Sequence, residues 1–355
     1  MKIICAGGGT LGSVSPLLAV VAELKKQSAT KLEVKWLGTK YGPERVLVEA
    51  NNIPFQAISA GKFRRYFSWE NIIDAIRVLI GLAESLWLFG HYRPQAVLTA
   101  GSFVAVPVGW AAAMYKVPVF VHQQDVEPGL ANKLLAPVAK LITVTLPESQ
   151  RHFPNRRTVV TGNPSRTDFL SSIDKAAARL SLGLAADKPV VLVIGGGTGA
   201  LFFNDLVKNS LDELLAITQV VHITGLGKGS GVESKPGYLA LPFTVDSLTA
   251  LVAADVVVSR AGMGVITELA ALSKPALIVP IPDSHQVHNA DYLNLAQAAV
   301  VKAQSGLTAT VLVATLRQLL SQPTELARLG NNLHRLFPAQ AAQAVAREII
   351  ASLRN

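Results

Sequence analysis

The chain has 355 residues, half of them hydrophobic and only 16% charged, which excludes a disordered or low-complexity protein and favours two domains with cores of their own. Lysines and arginines number 33 against 24 acids, leaving +9, so nucleotides, phospholipid headgroups and nucleic acid are all admissible anionic partners. The single cysteine, Cys5, excludes an internal disulfide, no Cys/His cluster has zinc-site spacing, and a reducing cytoplasm suits the chain.

Short β-branched runs alternate with longer helical patterns, the sequence form of βαβ units around a parallel sheet. The first strand, Lys2 to Cys5, runs straight into three glycines, which leaves no room for a signal-peptide core. Leu32 to Leu37 is the second. The segment from Gly61 to Trp69 interleaves the cations Lys62, Arg64 and Arg65 with the aromatics Phe63, Tyr66, Phe67 and Trp69. Ser68 can cap a following helix in which Trp69, Ile72, Ile73, Ile76, Ile80, Ala83 and Trp87 form one apolar stripe. The stripe reads as a core face, and the loop Lys62 to Phe67 as the part facing a membrane or a lipid-linked acceptor. The uncharged stretch Gln95 to Tyr115 is long enough to span a bilayer, but Gly101, Ser102, Pro107 and Gly109 break it into strand (Ala96 to Thr99), loop and helix. Val117 to Val121 and Leu141 to Thr145 complete the first series.

Gly162-Asn-Pro-Ser-Arg-Thr-Asp168 reads as a linker. A second series then runs Val190 to Ile194, Val220 to Thr224, Val256 to Ser259 and Ala276 to Val279, and the chain ends in an amphipathic helix, Ala339 to Leu353. The expected architecture is α/β, with two Rossmann-like domains over residues 1–162 and 163–338, parallel sheets facing across a cleft, and the helix over 339–355 able to pack on either domain, including back on the first.

Both series open alike, Lys2 to Ala6 leading into Gly7-Gly-Gly-Thr-Leu-Gly12 and Val190 to Ile194 into Gly195-Gly-Gly-Thr-Gly-Ala200. Glycines between a strand and a helix let backbone approach a phosphate, and the helix N-terminus supplies unpaired N–H groups. A dinucleotide enzyme would carry an acid about 20 residues on, for the ribose. Trp36-Leu-Gly-Thr-Lys40 and Thr224-Gly-Leu-Gly-Lys228 have none there, which disfavours hydride transfer. No Asp-x-Asp occurs to bridge a metal to a pyrophosphate, and His285 and His288, without a third ligand, read as polar residues and not a zinc site.

Six motifs follow one another in a family-specific order: Thr10-Leu-Gly-Ser-Val-Ser-Pro16, His122-Gln-Gln-Asp125, Gly162-Asn-Pro-Ser-Arg166, Gly195-Gly-Gly-Thr-Gly-Ala200, Arg260-Ala-Gly-Met-Gly-Val-Ile-Thr-Glu268 and His285-Gln-Val-His-Asn-Ala290. In order and spacing they resemble the MurG family, bacterial transferases that move N-acetylglucosamine from UDP-GlcNAc onto lipid I to make lipid II. The resemblance implies a GT-B fold with the donor held mainly by the second domain and the acceptor by the first. It implies peripheral attachment to the inner face of the cell membrane, with anionic lipids as partners, no nucleic acid and no cofactor. The donor residues it implies are Thr10, Leu11 and Gly12, Asp125, Arg166 in the linker, the backbone of Gly196, Gly197, Thr198 and Gly199, and Phe243 with Thr244 at the uracil. They continue through Gly262, Met263, Gly264, Val265, Ile266 and Thr267 to Glu268, which would accept from the ribose diol, and to Gln286 and Asn289, whose amides would face the sugar.

The chain departs from the family where catalysis is expected. Ser13 stands in place of a histidine, Leu11 in place of a glycine, His122-Gln-Gln-Asp125 in place of His-Glu-Gln-Asn, and Gly197-Thr198 in place of Ser-Gln. Inverting sugar transfer needs a base for the acceptor hydroxyl, and neutral serine or glutamine serves poorly. Asp125 is therefore the expected base, assisted by His122, with Ser13 contacting a substrate phosphate. The competing readings of Asp125 are a helix cap near Pro128 or a donor contact. Other open readings are a transferase with a different nucleotide sugar or lipid acceptor, an epimerase, and a sugar-nucleotide-binding homologue without catalysis.

Overall fold

The structure is a computed structural model that describes residues 1–28, 31–61, 69–165, 174–195, 201–225, 229, 231–232, 235–241, 247–338 and 340–354, with residues 69–71 described by backbone alone. The chain divides into two compact units, Met1–Arg166 with Ala339–Asn355, and Thr167–Pro338.

The first unit runs β1 (Lys2–Ala6), α1 (Ser15–Gln27), β2 (Glu33–Gly38), α2 (Glu44–Glu49), β3 (Phe55–Ala57) and α3 (Trp69–Tyr92). It continues through β4 (Ala96–Thr99), α4 (Ala105–Met114), β5 (Val119–Gln123), α5 (Leu130–Leu135), β6 (Ala139–Val144) and β7 (Thr158–Val160). Its strands pair in parallel in the order β3-β2-β1-β4-β5-β6-β7. The order reverses between β1 and β4, and in open parallel sheets the carboxyl edge at such a reversal is where ligands bind.

Alternation along each strand feeds two cores. Ile3, Cys5, Trp36 and Leu98 pack with α1 on one face of the sheet, while Ile4, Ala6, Leu37 and Val97 pack with α3 and α4 on the other.

The second unit runs α6 (Lys175–Ser181), β8 (Val190–Ile194), α7 (Leu201–Leu215), β9 (Gln219–Ile223), β10 (Tyr238–Leu241), α8 (Ser247–Ala253) and β11 (Val256–Ser259). Then come α9 (Met263–Ala271), β12 (Ala276–Ile278), α10 (Gln286–Leu295), β13 (Val300–Val301), α11 (Ala309–Leu320) and α12 (Pro323–Leu336). Its parallel sheet, β10-β9-β8-β11-β12-β13, reverses between β8 and β11, so both units have a reversal point beside their first long strand. The last helix, α13 (Ala341–Arg354), returns to the first unit, where Val345, Ala346 and Ile349 join the core of Ile3, Leu17 and Leu24.

Three features differ from the sequence reading. Residues 163–165 go with the first unit, because Asn163 is buried and bonded to His122 where a solvated linker was expected. The edge strands β3, β7, β10 and β13, only two to four residues long, are not among the expected strands. The apolar stripe of α3 is not a core face: Ile72, Ile73, Ile76, Ile80 and Trp87 are 47–63% exposed, together with Leu79. The face that packs inward carries Asp74, Val78, Gly81, Ser85, Leu88 and Phe89. Small and polar residues are required there because α3 lies close on the loop before it; a Cβ at Gly81 would strike the Ser59 carbonyl, and Ser85 Oγ donates to Gly81 O at 2.6 Å. Among the described residues, no helix is long and apolar enough to cross a membrane.

Candidate active site

In the first unit β1 leads into Gly7-Gly8-Gly9 at the carboxyl edge of the sheet. Two carbonyls of this turn are held by side chains: Trp36 Nε1 donates to Gly7 O and Ser102 Oγ to Gly8 O, each at 2.8 Å. Gly9, at φ +80°, donates its N–H to Glu44 Oε2 at 3.1 Å. Thr10 and Gly12 project from this braced turn into solvent, and Leu11 is half-buried. Ser13 is only 7% exposed, and its Oγ has no hydrogen-bond partner within the described chain. Sequence reasoning does not find Trp36, Glu44 or Ser102, because each comes from a different element and none lies in a motif.

His122, near the end of β5, is enclosed. Its Nδ1 lies 3.0 Å from Thr143 Oγ1 and its Nε2 lies 3.2 Å from Asn163 Oδ1, and burial pushes its pKa down to about 4. A neutral imidazole with both nitrogens engaged is a brace between β6 and the chain leaving β7, and a poor assistant to a base. Gln123 is buried as well; its Nε2 donates to the carbonyls of Asp125 (2.7 Å) and Glu127 (3.2 Å), and Asn132 Nδ2 donates to its Oε1 at 2.6 Å. A glutamate could not make those two donations, so glutamine at this position builds the turn that carries Asp125. Ser149 Oγ donates to the same Asp125 carbonyl at 3.2 Å, fixing the backbone of a half-buried residue. The next helix starts at Leu130 with Gly129 as its N-cap, so Asp125 does not cap it.

In the second unit the glycine-rich sequence after β8 runs on through residues 196–200, which lie outside the described residues, as do Arg166, Phe243, Thr244 and Lys62 to Phe67. The neighbouring turn after β11 is described in full. Arg260 stacks its guanidinium over Phe203 and Phe202, 4.8 and 5.4 Å from the ring centres, and Nη1 donates to the carbonyls of Val279 and Pro280. That arginine ties the ends of β11 and β12 together. Gly262 is the N-cap of α9, with no side-chain cap and no acid in the first turn, which leaves the helix N-terminus open to an anion.

Met263, Ile266 and Thr267 face the core, Thr267 Oγ1 donating to Met263 O, while Gly264 is exposed and Val265 half-buried. Glu268, on the same helix, has neither a hydrogen-bond donor nor a cation against it among the described residues, and burial pushes its carboxyl up to about 7. The two amides of α10 are divided: Gln286 accepts from Ile281 N–H at 3.2 Å and borders Gly262, whereas Asn289 is buried and donates to Ala261 O at 3.0 Å. Asn289 thus braces the turn before α9, and Gln286 is the more accessible of the pair.

Two Rossmann-like units, each a parallel sheet whose strand order reverses next to the first strand, define a GT-B protein. The comparisons agree: residues 3–144 match the glycosyltransferase family 28 N-terminal domain and residues 190–345 its C-terminal domain. The chain belongs to glycosyltransferase family 28. It is 36% identical over 324 residues, 90% of this chain and 91% of the other, to a Clostridium kluyveri protein named UDP-N-acetylglucosamine--N-acetylmuramyl-(pentapeptide) pyrophosphoryl-undecaprenol N-acetylglucosamine transferase. The crystal structure of Acinetobacter baumannii MurG, 28% identical, aligns over 99% of each chain with a TM-score of 0.75. A Neisseria meningitidis UDP-GlcNAc 2-epimerase, 14% identical, aligns over 99% of this chain and 100% of its own with a TM-score of 0.73, a likeness of fold alone.

Proposed function

We propose that this glycosyltransferase moves N-acetylglucosamine from UDP-GlcNAc to the C4 hydroxyl of the N-acetylmuramyl group of lipid I, giving lipid II for peptidoglycan synthesis. The observation that carries the reading is the match over 90% of the chain to a relative named for that transfer. The chemistry of the second unit supports the donor half: the uncapped N-terminus of α9 suits a pyrophosphate, and Glu268, with no partner among the described residues, suits a ribose diol. Arg166, the backbone of residues 196–199, Phe243 and Thr244 complete the proposed donor set, with Gln286 toward the sugar.

Asp125 is the proposed base. Its carboxylate takes the proton of the acceptor C4 hydroxyl as that oxygen bonds to the anomeric carbon from the face opposite UDP; the bond from carbon to phosphate oxygen breaks, and UDP leaves with the electron pair. The reaction inverts the anomeric centre and draws on no cofactor. Ser13 and His122 act by shaping the site. For the membrane, the half-exposed isoleucines of α3 supply an apolar surface and the adjoining Lys62, Arg64 and Arg65 supply cations, a pairing suited to peripheral binding at an anionic leaflet.

The departures at Ser13 and Gln123 favour a second reading, a homologue that binds the sugar nucleotide without transfer. Replacement of Asp125 separates the two. Asp125→Asn is expected to keep UDP binding within about twofold and to lose at least about a hundredfold in acceptor-dependent UDP release, the scale of a general base. Turnover like that of the parent removes Asp125 from the mechanism, and a parent protein that binds UDP-GlcNAc but never releases UDP supports the second reading.

A further inference from the structure

Glu44, the first residue of α2, is fully buried and has no cation paired to it among the described residues. Its charge is met by three donors: Gly9 N–H on Oε2, and on Oε1 both Thr39 N–H at 2.6 Å and the Thr39 hydroxyl. The hollow is shaped around it, since a Cβ at either Gly8 or Gly42 would collide with the Glu44 carboxylate. Converging backbone N–H groups at a glycine turn are the arrangement that elsewhere holds a ligand phosphate. Here the chain supplies the anion itself. The turn at α9 is the opposite case, with no side-chain cap and no first-turn acid.

We infer that Glu44 is a positioning residue that fills the anion hollow of the first glycine turn, closing it to nucleotide phosphate and holding Thr10 to Ser13 in place for the acceptor, where the resemblance would have Thr10, Leu11 and Gly12 touch the donor. The acceptor half of this inference rests on the proposed transfer; the bracing of the turn does not. A phosphate at the Gly9 N–H would have to displace or abut a buried carboxylate, so a nucleotide is directed to the second unit although the two turns are alike in sequence. With Trp36 and Ser102 on the neighbouring carbonyls, Glu44 completes the fixation of the turn from which Thr10 and Gly12 project.

Glu44→Gln tests this. The variant keeps the volume, but one end of the side chain becomes an NH2 group, so either Gly9 or Thr39 keeps an unmatched N–H whichever way the amide lies. Hydrogen exchange over residues 7–13 is expected to quicken by about tenfold with the second unit unchanged, and the KM for a lipid I analogue to rise about tenfold while that for UDP-GlcNAc stays within about twofold. Thr39→Val, which removes one donor of three, is expected to raise only the acceptor KM, by about threefold, and decides the matter if Glu44→Gln does not fold. Unchanged exchange in folded Glu44→Gln, or an equal rise in both KM values in either variant, overturns the inference. Turnover of the parent protein without a lipid acceptor would sink the proposed transfer instead, and the exchange result would then alone decide the bracing role.

Discussion

Glu44 and Glu268 are both carboxyl groups withdrawn from water, and the chain treats them in opposite ways. Glu44 receives three hydrogen bonds from its surroundings, whereas Glu268 receives none among the described residues and has its carboxyl pushed up to about 7 by burial. A carboxylate left without donors is destabilised until a ligand brings them, and two ribose hydroxyls are such donors. Because diol binding favours the ionised form, UDP-GlcNAc binding between about pH 5 and 7 should expel a proton, and affinity should fall as pH drops below 7. Calorimetry in buffers of different ionisation enthalpy checks this. With UDP-GlcNAc, whose diphosphate is esterified at both ends and does not titrate in this range, proton release near pH 6.5 is expected for the parent and none for Glu268→Gln, which should also bind about tenfold more weakly. His122 and His222 work the other way on stability. Both are held near 4 by burial, below the ordinary 6.5, so their contribution is complete above pH 6.5 and is lost as pH falls toward 4. The motifs single out Glu268, His122 and Asp125, but a motif does not report burial, and burial makes His122, expected to assist the base, and Asn289, expected to face the sugar, into braces.

At the scale of an element, α3 shows what periodicity can and cannot say. The stripe of Ile72, Ile73, Ile76, Ile80 and Trp87 is present as read, yet a 3.6-residue repeat marks an apolar face without saying whether protein or lipid covers it. The deciding fact is the opposite face, where Asp74, Gly81 and Ser85 pack inward and leave the apolar side uncovered. Each large aliphatic side chain moved from water into a bilayer interface contributes on the order of 1 kcal/mol when half of it is already covered. The double variant Ile76→Asp/Ile80→Asp should therefore lose most of its binding to vesicles of anionic phospholipid, in a sedimentation assay, while keeping its affinity for UDP. Undiminished vesicle binding would remove α3 from the membrane surface. The central strands were legible because they are buried on both faces and read as continuous β-branched runs; β3, β7, β10 and β13 are edge strands of only two to four residues, too short for a run to stand out.

For the whole molecule, the doubling of the glycine turn in sequence corresponds to two parallel sheets with the same reversal, one per unit. The same doubling concealed a difference that appears only once the chain is folded, since Glu44 lies more than thirty residues from the turn it fills. The return of α13 to the first unit was equally open in sequence: its amphipathic pattern fits either sheet, and the core formed with Ile3, Leu17 and Leu24 settles the choice. The net charge of +9 admitted three kinds of anion; the uncapped N-terminus of α9 suits a pyrophosphate without drawing on that charge, and Lys62, Arg64 and Arg65, just before α3 in sequence, suit a membrane surface. The most direct test is the product formed when the protein is given UDP-GlcNAc and a lipid I analogue in anionic vesicles, analysed by mass spectrometry and proton NMR. The account predicts that the acceptor gains one N-acetylglucosamine in β-linkage to C4, with one UDP released for each. UDP release that does not require the acceptor, or a changed sugar nucleotide with the acceptor untouched, would contradict it.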